Sequence, residues 1–363
     1  MFQSVVHSFL NHRWQLYTKF EIELHELRYL FWETTRQCNL SCLHCGSDCT
    51  ADASIKGLDK EVILKTFREI ADHQDASKIM LVVTGGEPLV RRDLFLILSK
   101  ARDLGFRLGM VTNGWALNKK VAQIISATGI SSIVVSLDGP EIIHDWLRNR
   151  SGSFSRAVSA LGFLKEEGIP VVEAITCVTP RLIPFLEETY QIVTNSGATH
   201  WRVFNIFPIG RAKNNEDVLL TPDHFRMLIP EMIKLRERGK KEDFHVNLSE
   251  EGWLGWDYEN KLRDTPYFCR AGVNISGIMA DGTISACPNL PQWFAQGNIK
   301  TDSFVNVWEN RYDIFRDRVW MKKGICENCP EFPVCQGNSL HIWDPETNQP
   351  SWCHYRILHE KDD

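Results

Sequence analysis

The chain has 363 residues, of which 43% are hydrophobic and 24% charged, a composition typical of an ordered globular protein with two or three folding units. Its 41 Lys and Arg against 46 Asp and Glu give a net charge of −5, and the absence of a dense basic block excludes the charge pattern of a nucleic-acid binder. The first residues lack a signal-peptide core, and no run approaches the roughly 18 apolar residues of a membrane span, so a cytoplasmic protein is expected.

From residue 29 to 206, apolar strand-like runs alternate with amphipathic helix-like segments. The strand-like runs lie at 29–35, 78–86, 106–114, 131–139, 169–179 and 199–206. Helices are expected near 59–72, 91–104, 118–127, 153–167 and 181–196. About six strand–helix units predict a parallel sheet covered by helices, an α/β fold of the partial (β/α)6 TIM-like barrel type.

The pattern changes in the last third of the chain. A helix near 222–238 and a strand-like run at 244–249 precede a stretch rich in Trp and charged residues. Beyond about residue 266, two alternating runs flank Asp281-Gly282, a hairpin signal, and the remainder is rich in loops and cysteine. We therefore expect an amino-terminal extension (1–28), a barrel (29–248), a connector (249–265) and a small cysteine-rich domain (266–363).

The eleven cysteines are clustered, which indicates metal binding. Four lie between positions 38 and 49, six lie between 269 and 353, and Cys177 stands alone. Disulfides are not expected in a protein without an export signal, because the cytosol keeps thiols reduced. A small cysteine-rich domain also has little apolar periodicity, so metal ligation would substitute for a core.

The first cysteine group has the spacing C-x3-C-x2-C, formed by Cys38, Cys42 and Cys45 directly after the first predicted strand. Three thiolates on one short loop can bind three irons of a 4Fe-4S cube and leave the fourth iron open for a ligand. A zinc site is the main alternative, since His44 lies within the loop, although structural zinc usually takes two separated ligand pairs.

This loop resembles that of the radical S-adenosylmethionine (SAM) superfamily, in which such a triad leaves one iron for the methionine end of SAM. The resemblance implies that the protein is an enzyme with a 4Fe-4S cluster and SAM as cofactors. His44 takes the position where the family usually has an aromatic ring beside the cluster, and Cys49 is interpreted as a bystander. The implied chemistry is reductive cleavage of SAM to a 5′-deoxyadenosyl radical, which abstracts hydrogen from a substrate.

Further positions follow in the family's order. Thr84 to Pro88 resembles the GGEP motif near the SAM amino group, and the run around Arg148 resembles a stretch where an arginine meets the SAM carboxylate. For Asp145 and Arg148, a surface ion pair on a helix is the alternative interpretation. The residues predicted to bind the cofactor are Gly85, Gly86, Glu87, Asn113, Ser136, Asp138 and Arg148.

The carboxyl-terminal cysteines resemble the SPASM domain, which holds auxiliary iron–sulfur clusters in radical SAM enzymes. By that resemblance a distal 4Fe-4S cluster is bound by Cys326, Cys329, Cys335 and Cys353. A proximal cluster would have only Cys269 and Cys287, because Ser339 stands where the family has a further cysteine. At least one auxiliary cluster is therefore expected, and a zinc ribbon is the alternative for the whole domain.

The architecture implies a peptide or protein substrate first, that is, a peptide maturase. Processing of a haem precursor or another small molecule is the second hypothesis, and a redox or scaffold protein that no longer cleaves SAM is the third. Sulfatase maturation is disfavoured, since Pro288 follows Cys287 where those enzymes carry an aspartate. A flavodoxin or ferredoxin is expected as electron donor. No catalytic side chain is assigned from the sequence.

Overall fold

The computed structural model describes residues 2–360, so residue 1 and residues 361–363, the ends of the first and last predicted domains, lie outside the description. The strands are β1 (Tyr29–Glu33), β2 (Met80–Thr84), β3 (Arg107–Thr112), β4 (Ile130–Ser136), β5 (Val171–Val178), β6 (His200–Asn205), β7 (His245–Leu248), β8 (Ile275–Ile278), β9 (Thr283–Ser285), β10 (Gly297–Asn298), β11 (Trp343–Asp344) and β12 (Gln349–Pro350).

The helices alternate with these strands as far as β7. They are α1 (Phe2–Leu24), α2 (Lys60–His73), α3 (Leu94–Asp103), α4 (Lys119–Thr128), α5 (Glu141–Arg148), α6 (Ser153–Glu166), α7 (Leu186–Asn195), α8 (Pro222–Lys241), α9 (Trp256–Leu262), α10 (Phe304–Asn310), α11 (Asp313–Arg316), α12 (Phe332–Cys335) and α13 (His354–His359). Within residues 2–360, no helix is both long and apolar enough to cross a membrane.

One sheet runs through most of the molecule, in the order β10-β9-β8-β1-β2-β3-β4-β5-β6-β7. All neighbours from β8 to β7 are parallel, and the β8–β9 and β9–β10 pairs are antiparallel. The predicted α/β fold with parallel strand–helix units is confirmed. The hairpin of the cysteine-rich region is not separate from it, because β8 pairs with β1 and extends the same sheet.

The sheet is buried by helices whose apolar positions follow the helical period. In α2 the buried residues are Ile63, Thr66, Phe67 and Ile70, a spacing that places all four on one face. The helix α4 is capped at its amino terminus by Asn118, whose side chain accepts a hydrogen bond from the Val121 amide. These local signals explain why the sequence pattern located the helices well.

The amino-terminal extension contains α1, a helix that the sequence pattern did not indicate. Its Trp14 is 8% exposed and donates a hydrogen bond to the Tyr267 carbonyl at 3.3 Å. Asn11 accepts one from the Trp256 indole at 2.6 Å. Since Trp14 also shares a hydrophobic cluster with Trp253, α1 packs on the connector and the cysteine-rich region.

The connector is held together by buried hydrogen bonds between charged side chains and backbone groups. Glu259 is fully buried and accepts hydrogen bonds from the Arg263 guanidinium and from the backbone amides of Leu254 and Tyr267. Arg263 in turn donates to the carbonyls of Leu248, Glu250 and Gly252. Each partner therefore satisfies several buried groups as well as the opposite charge.

We predict that Glu259→Ala lowers the free energy of unfolding by about 3–5 kcal/mol, because it leaves the Arg263 charge buried without its carboxylate. The matched control is Glu360→Ala, which removes an exposed ion pair between Arg356 and Glu360 at the same i, i+4 spacing. The side chain of Arg356 is 43% exposed and that of Glu360 is 52% exposed. Its effect should stay below about 1 kcal/mol. Urea unfolding followed by circular dichroism compares the two, and equal losses would contradict the role given to Glu259.

Candidate active site

A cavity of about 300 Å³ lies at the carboxyl ends of the parallel strands. This is the edge of the sheet where loops of such folds carry chemistry. Of the residues predicted for the cofactors, those that line it are Cys38, Cys42, Cys45, Gly85, Gly86, Asn113, Ser136 and Arg148. The structure thus brings the cysteine triad and the ends of β2, β3 and β4 around one space.

The three cysteines sit on the loop after β1, and each sulfur accepts a hydrogen bond. The Leu40 amide donates to Cys38 Sγ at 3.4 Å, and the Cys49 amide donates to Cys45 Sγ at 3.4 Å. Cys42 Sγ lies 3.8 Å from the Arg148 guanidinium. Donors aimed at sulfur stabilise thiolates, which are the form that ligates metal.

The thiol chemistry of this loop fits an iron–sulfur cluster. Burial raises the pKa of Cys38 to about 12, so its thiolate needs a nearby positive charge such as a metal. A hydrogen bond from the Cys49 thiol lowers the pKa of Cys45. Among residues 2–360, no group of three or more His, Cys, Asp or Glu side chains is arranged to hold a single metal ion.

His44 also lines the cavity, next to the cysteine sulfurs. Burial, reinforced by the Arg148 charge, lowers the pKa of His44 to about 3, so the ring is neutral. Its Nδ1 has no hydrogen-bond partner among the described residues. An unpartnered ring beside the triad is compatible with the position predicted for it, beside the cluster.

The glycine pair allows a close approach of two backbone segments. Gly86 donates its amide to the Thr35 carbonyl at 2.7 Å, and a Cβ on Gly86 would lie 2.1 Å from the Gln37 carbonyl oxygen. Gly85 has φ +135°, which favours glycine, and a Cβ there would lie 2.5 Å from the Thr35 oxygen. The pair therefore lets the GGEP turn pack against the segment that leads into the cysteine loop.

Glu87 is fully buried and binds the protein chain. Its carboxylate accepts hydrogen bonds from the Asn113 amide and the Thr112 hydroxyl, each at 2.8 Å, and from the Leu89 amide at 3.1 Å. Burial raises the pKa of Glu87 above its usual value, against the hydrogen bond from Asn113 that lowers it. Glu87 thus ties the glycine turn to the end of β3.

Asp138 and Arg148 form a buried pair behind Ser136. Asp138 Oδ2 lies 2.6 Å from Arg148 Nε, and Oδ1 accepts a hydrogen bond from the Cys177 amide. Burial alone would raise the pKa of Asp138, but Arg148 and then His144 hold it below its usual value. Arg148 lines the cavity, and the carboxylate of Asp138 already balances its charge.

The alternative of a surface pair between Asp145 and Arg148 is wrong. Asp145 instead accepts hydrogen bonds from the amides of Gly152 and Phe154 and from the Ser153 hydroxyl, at 2.6–2.9 Å. These contacts begin α6. Asp138 is the stronger partner of Arg148, because it is fully buried and its Oδ2 lies 2.6 Å from Arg148 Nε.

Several residues of the cavity carried no recognisable sequence signal. Arg211, between β6 and α8, donates to the carbonyls of Cys42 and Cys49 at 2.8 and 2.9 Å and pairs with Asp48 at 2.8 Å. Asn205, at the end of β6, is buried, and its amide oxygen has no hydrogen-bond partner among the described residues. Its place at a strand end was the one available clue.

The wall nearest the cysteine-rich region is formed by Glu251, Asn289 and His341. Glu251 belongs to the connector, and His341 lies 90 residues further along the chain. Their approach depends on the shared sheet and the connector, which bring the two regions to one cavity. No short sequence motif could indicate that Glu251 and His341 meet.

The four cysteines of the predicted distal set lie close together. Burial, together with the neighbouring thiols of Cys353 and Cys329, raises the pKa of Cys326 to about 12. Burial also raises the pKa of Cys335, with Cys353 and Cys326 again as neighbours. Four neighbouring thiols, of which that of Cys326 is buried and the others are partly exposed, are a suitable donor set for one 4Fe-4S cluster.

The proximal set is incomplete in the structure as in the sequence. Burial alone would raise the pKa of Cys269, but the Arg318 guanidinium holds it below its usual value. Burial raises the pKa of Cys287, against a hydrogen bond from His341. Ser339 Oγ lies 2.5 Å from Glu251 Oε2, so its hydroxyl is already engaged. Two thiols do not complete a four-ligand set.

We predict that Gly86→Ala lowers reductive SAM cleavage by about 100-fold, because its Cβ would displace the segment that positions the cysteine loop. Gly162→Ala is the matched control, since its added Cβ in α6 would meet nothing nearer than 4.0 Å. Iron content after anaerobic reconstitution and 5′-deoxyadenosine release measure both effects. A Gly86→Ala protein as active as Gly162→Ala would show that the close approach is unimportant.

Comparisons with known proteins agree with this geometry. A model of the radical SAM superfamily matches residues 32–191, and a model of the SPASM iron–sulfur cluster-binding domain matches residues 269–330. The structure resembles SuiB of Streptococcus suis bound to the precursor peptide SuiA, with TM-score 0.69 and 16% identity, over 93% of this chain and 78% of that one. A structure titled anSMEcpe with bound AdoMet and Kp18Cys peptide gives TM-score 0.72 at 17% identity, over 92% and 94%.

Two curated relatives cover nearly the whole chain. The AdoMet-dependent heme synthase of Methanosarcina barkeri is 27% identical over 354 residues, 91% of this chain and 97% of its own. Mycofactocin maturase MftC of Mycolicibacterium smegmatis is 30% identical over 332 residues, 90% of this chain and 81% of its own. The shared cysteine loop, fold and coverage lead to one conclusion: the chain belongs to the radical SAM superfamily, as an enzyme with a 4Fe-4S cluster, SAM as cofactor and a SPASM auxiliary-cluster domain.

Proposed function

We propose that this radical SAM enzyme modifies a peptide or protein by abstracting a hydrogen atom from it. The charge of the cavity wall carries this proposal. Both arginines of the lining are matched by carboxylates, Arg148 by Asp138 at 2.6 Å and Arg211 by Asp48 at 2.8 Å. The lining also includes the carboxylate of Glu251 and the amide of Asn289, whose Oδ1 already accepts a hydrogen bond from the Ser47 hydroxyl.

This distribution suits a substrate that offers N–H groups. A haem precursor carries several carboxylates and would need unpaired cations to balance them. Among the described residues that line the cavity, each arginine already has its carboxylate, and His341 is bound to Glu251 at 2.7 Å. A peptide, with its backbone and side-chain N–H groups, fits the acceptors that remain among the described residues, which are Glu251 Oε1 and the unpartnered amide oxygen of Asn205. The maturase among the relatives supports the same substrate class.

The residues of the chain have distinct parts in this proposal. Cys38, Cys42 and Cys45 hold the first cluster, and Arg211 fixes their loop through its carbonyls. The turn at Gly85 and Gly86, with the polar groups of Asn113 and Ser136, forms the SAM side of the cavity. Together the bound cluster and SAM supply one electron and the 5′-deoxyadenosyl radical, which performs the hydrogen abstraction.

Two further parts of the proposal concern electron transfer. The auxiliary cluster is held by Cys326, Cys329, Cys335 and Cys353. A reduced flavodoxin or ferredoxin delivers the electron in the cell, with dithionite as the substitute in the test tube.

Glu87, Asp138 and Arg148 act on SAM indirectly, by positioning other groups of the site. Glu87 holds the glycine turn, and the Asp138–Arg148 pair sets the charge beside Cys42.

Deuterium transfer tests the substrate class. Cells of the source organism are grown in deuterated medium and divided into a peptide fraction and a tetrapyrrole fraction. Each fraction is incubated with the reconstituted protein, SAM and dithionite, and 5′-deoxyadenosine is analysed by mass spectrometry. We expect deuterium in 5′-deoxyadenosine from the peptide fraction alone.

The opposite result has a clear meaning. Similarity to the haem synthase over 97% of its length makes haem-precursor processing the second candidate. Deuterium from the tetrapyrrole fraction alone would establish that candidate and overturn the peptide proposal. A variant with Cys38, Cys42 and Cys45 all replaced by Ala serves as the control and should release no 5′-deoxyadenosine with either fraction.

A further inference from the structure

Glu251 of the connector meets Ser339 and His341 of the cysteine-rich region, and Glu251 and His341 line the cavity. Glu251 Oε2 lies 2.5 Å from Ser339 Oγ and 2.7 Å from His341 Nδ1. The Ser339 amide also donates to the Glu251 carbonyl at 3.0 Å. His341 is fixed at its other nitrogen, since Nε2 lies 2.8 Å from the Pro288 carbonyl oxygen. The carboxylate of Glu251 is therefore held in one orientation.

This carboxylate is open to the cavity. Its side chain is 34% exposed, whereas that of His341 is only 11% exposed, so Glu251 is the more accessible of these two lining residues. Both hydrogen bonds to the carboxylate within residues 2–360 reach Oε2. Oε1 is left as an acceptor, and Glu251 lines the cavity. A fixed carboxylate oxygen at a cavity wall is a strong site for an N–H donor.

The surroundings strengthen such a hydrogen bond. Ile206, Phe207 and Ile209 line the same cavity and lower its local polarity. Ser339 stands where the SPASM resemblance places a cysteine ligand, and its hydroxyl binds Glu251 instead. Position 339 therefore carries a side chain that holds the Glu251 carboxylate, where the SPASM family has a metal ligand.

We propose that Glu251 binds the substrate through a hydrogen bond from a substrate N–H group to Oε1, with His341 and Ser339 as positioning residues that act through Glu251. This inference rests on the proposed peptide substrate. The N–H group belongs either to a neutral amide or to a charged amine. In both cases the bond fixes the substrate so that one C–H bond faces the radical formed at the cysteine side of the cavity.

Two substitutions separate these cases while the protein keeps a polar side chain at position 251. Glu251→Asp keeps the charge but withdraws the oxygens by one carbon, so it weakens the bond to either donor. Glu251→Gln keeps the length and an acceptor oxygen but removes the charge, so it weakens only the bond to an amine. Glu346→Gln, on an exposed loop, is the control.

The measured quantity is the fraction of released 5′-deoxyadenosine that carries deuterium from the deuterated peptide fraction. This ratio reports how well the radical is directed to the substrate, and it does not depend on how much protein is active. We expect a fall of about 10-fold or more for Glu251→Asp and no change for Glu346→Gln. A similar fall for Glu251→Gln identifies an amine, and a ratio near that of the wild type identifies an amide.

The outcomes separate the two proposals. Deuterium transfer that is equal in wild type and Glu251→Asp, with equal iron content, overturns the role of Glu251 and leaves the peptide proposal standing. Absence of transfer from the peptide fraction to wild-type protein refutes the peptide proposal itself, and the role of Glu251 with it. Iron content measured on every variant shows that both clusters are in place.

Discussion

The active site depends on a close contact between two backbone segments. The glycine turn after β2 lies against residues 35–37, where the Gly86 and Glu87 amides bind the Thr35 and Gln37 carbonyls at 2.7 and 2.9 Å. This segment leads directly into the cysteine loop, so the contact sets the position of the loop relative to the sheet. Arg211 holds the other end of the loop through the carbonyls of Cys42 and Cys49. Neither end can move without breaking buried hydrogen bonds.

The second constraint is the union of the barrel with the cysteine-rich region. The strand β8 pairs with β1, and Glu33 at the end of β1 accepts a hydrogen bond from the Ala280 amide at 2.9 Å. On the other side of the cavity, Glu250 accepts one from the Asn205 amide and lies 3.1 Å from His354. These contacts bring Glu251 and His341 to the cavity that the cysteine triad also lines. The cavity is therefore built by both regions together.

The sequence predicted the parts of the molecule that depend on local pattern. Strand and helix periods located the six strand–helix units, and the spacing of Cys38, Cys42 and Cys45 indicated the cluster loop. It missed α1, where apolar residues such as Phe9 and Phe20 are exposed while Trp14 and Thr18 are buried, so the helix has no clear apolar face toward the protein. It also missed Glu251 and His341, because they meet only through the tertiary fold. The carboxylates Glu87 and Asp138, which were predicted to bind the cofactor, are not among the residues that line the cavity. Their hydrogen-bond partners are buried groups of the chain, which no sequence pattern specifies.

We expect that the loop after β1 holds a 4Fe-4S cluster and that the carboxyl-terminal region holds another. Iron and sulfide analysis with EPR tests it most directly, on anaerobically reconstituted wild type and on a variant with Cys38, Cys42 and Cys45 all replaced by Ala. Two 4Fe-4S clusters give about eight irons per chain in the wild type, and loss of the first cluster leaves about four in the variant. About twelve irons in the wild type would show that the proximal site fills despite Ser339. Zinc in place of iron, or an iron content that does not fall in the variant, would contradict the account.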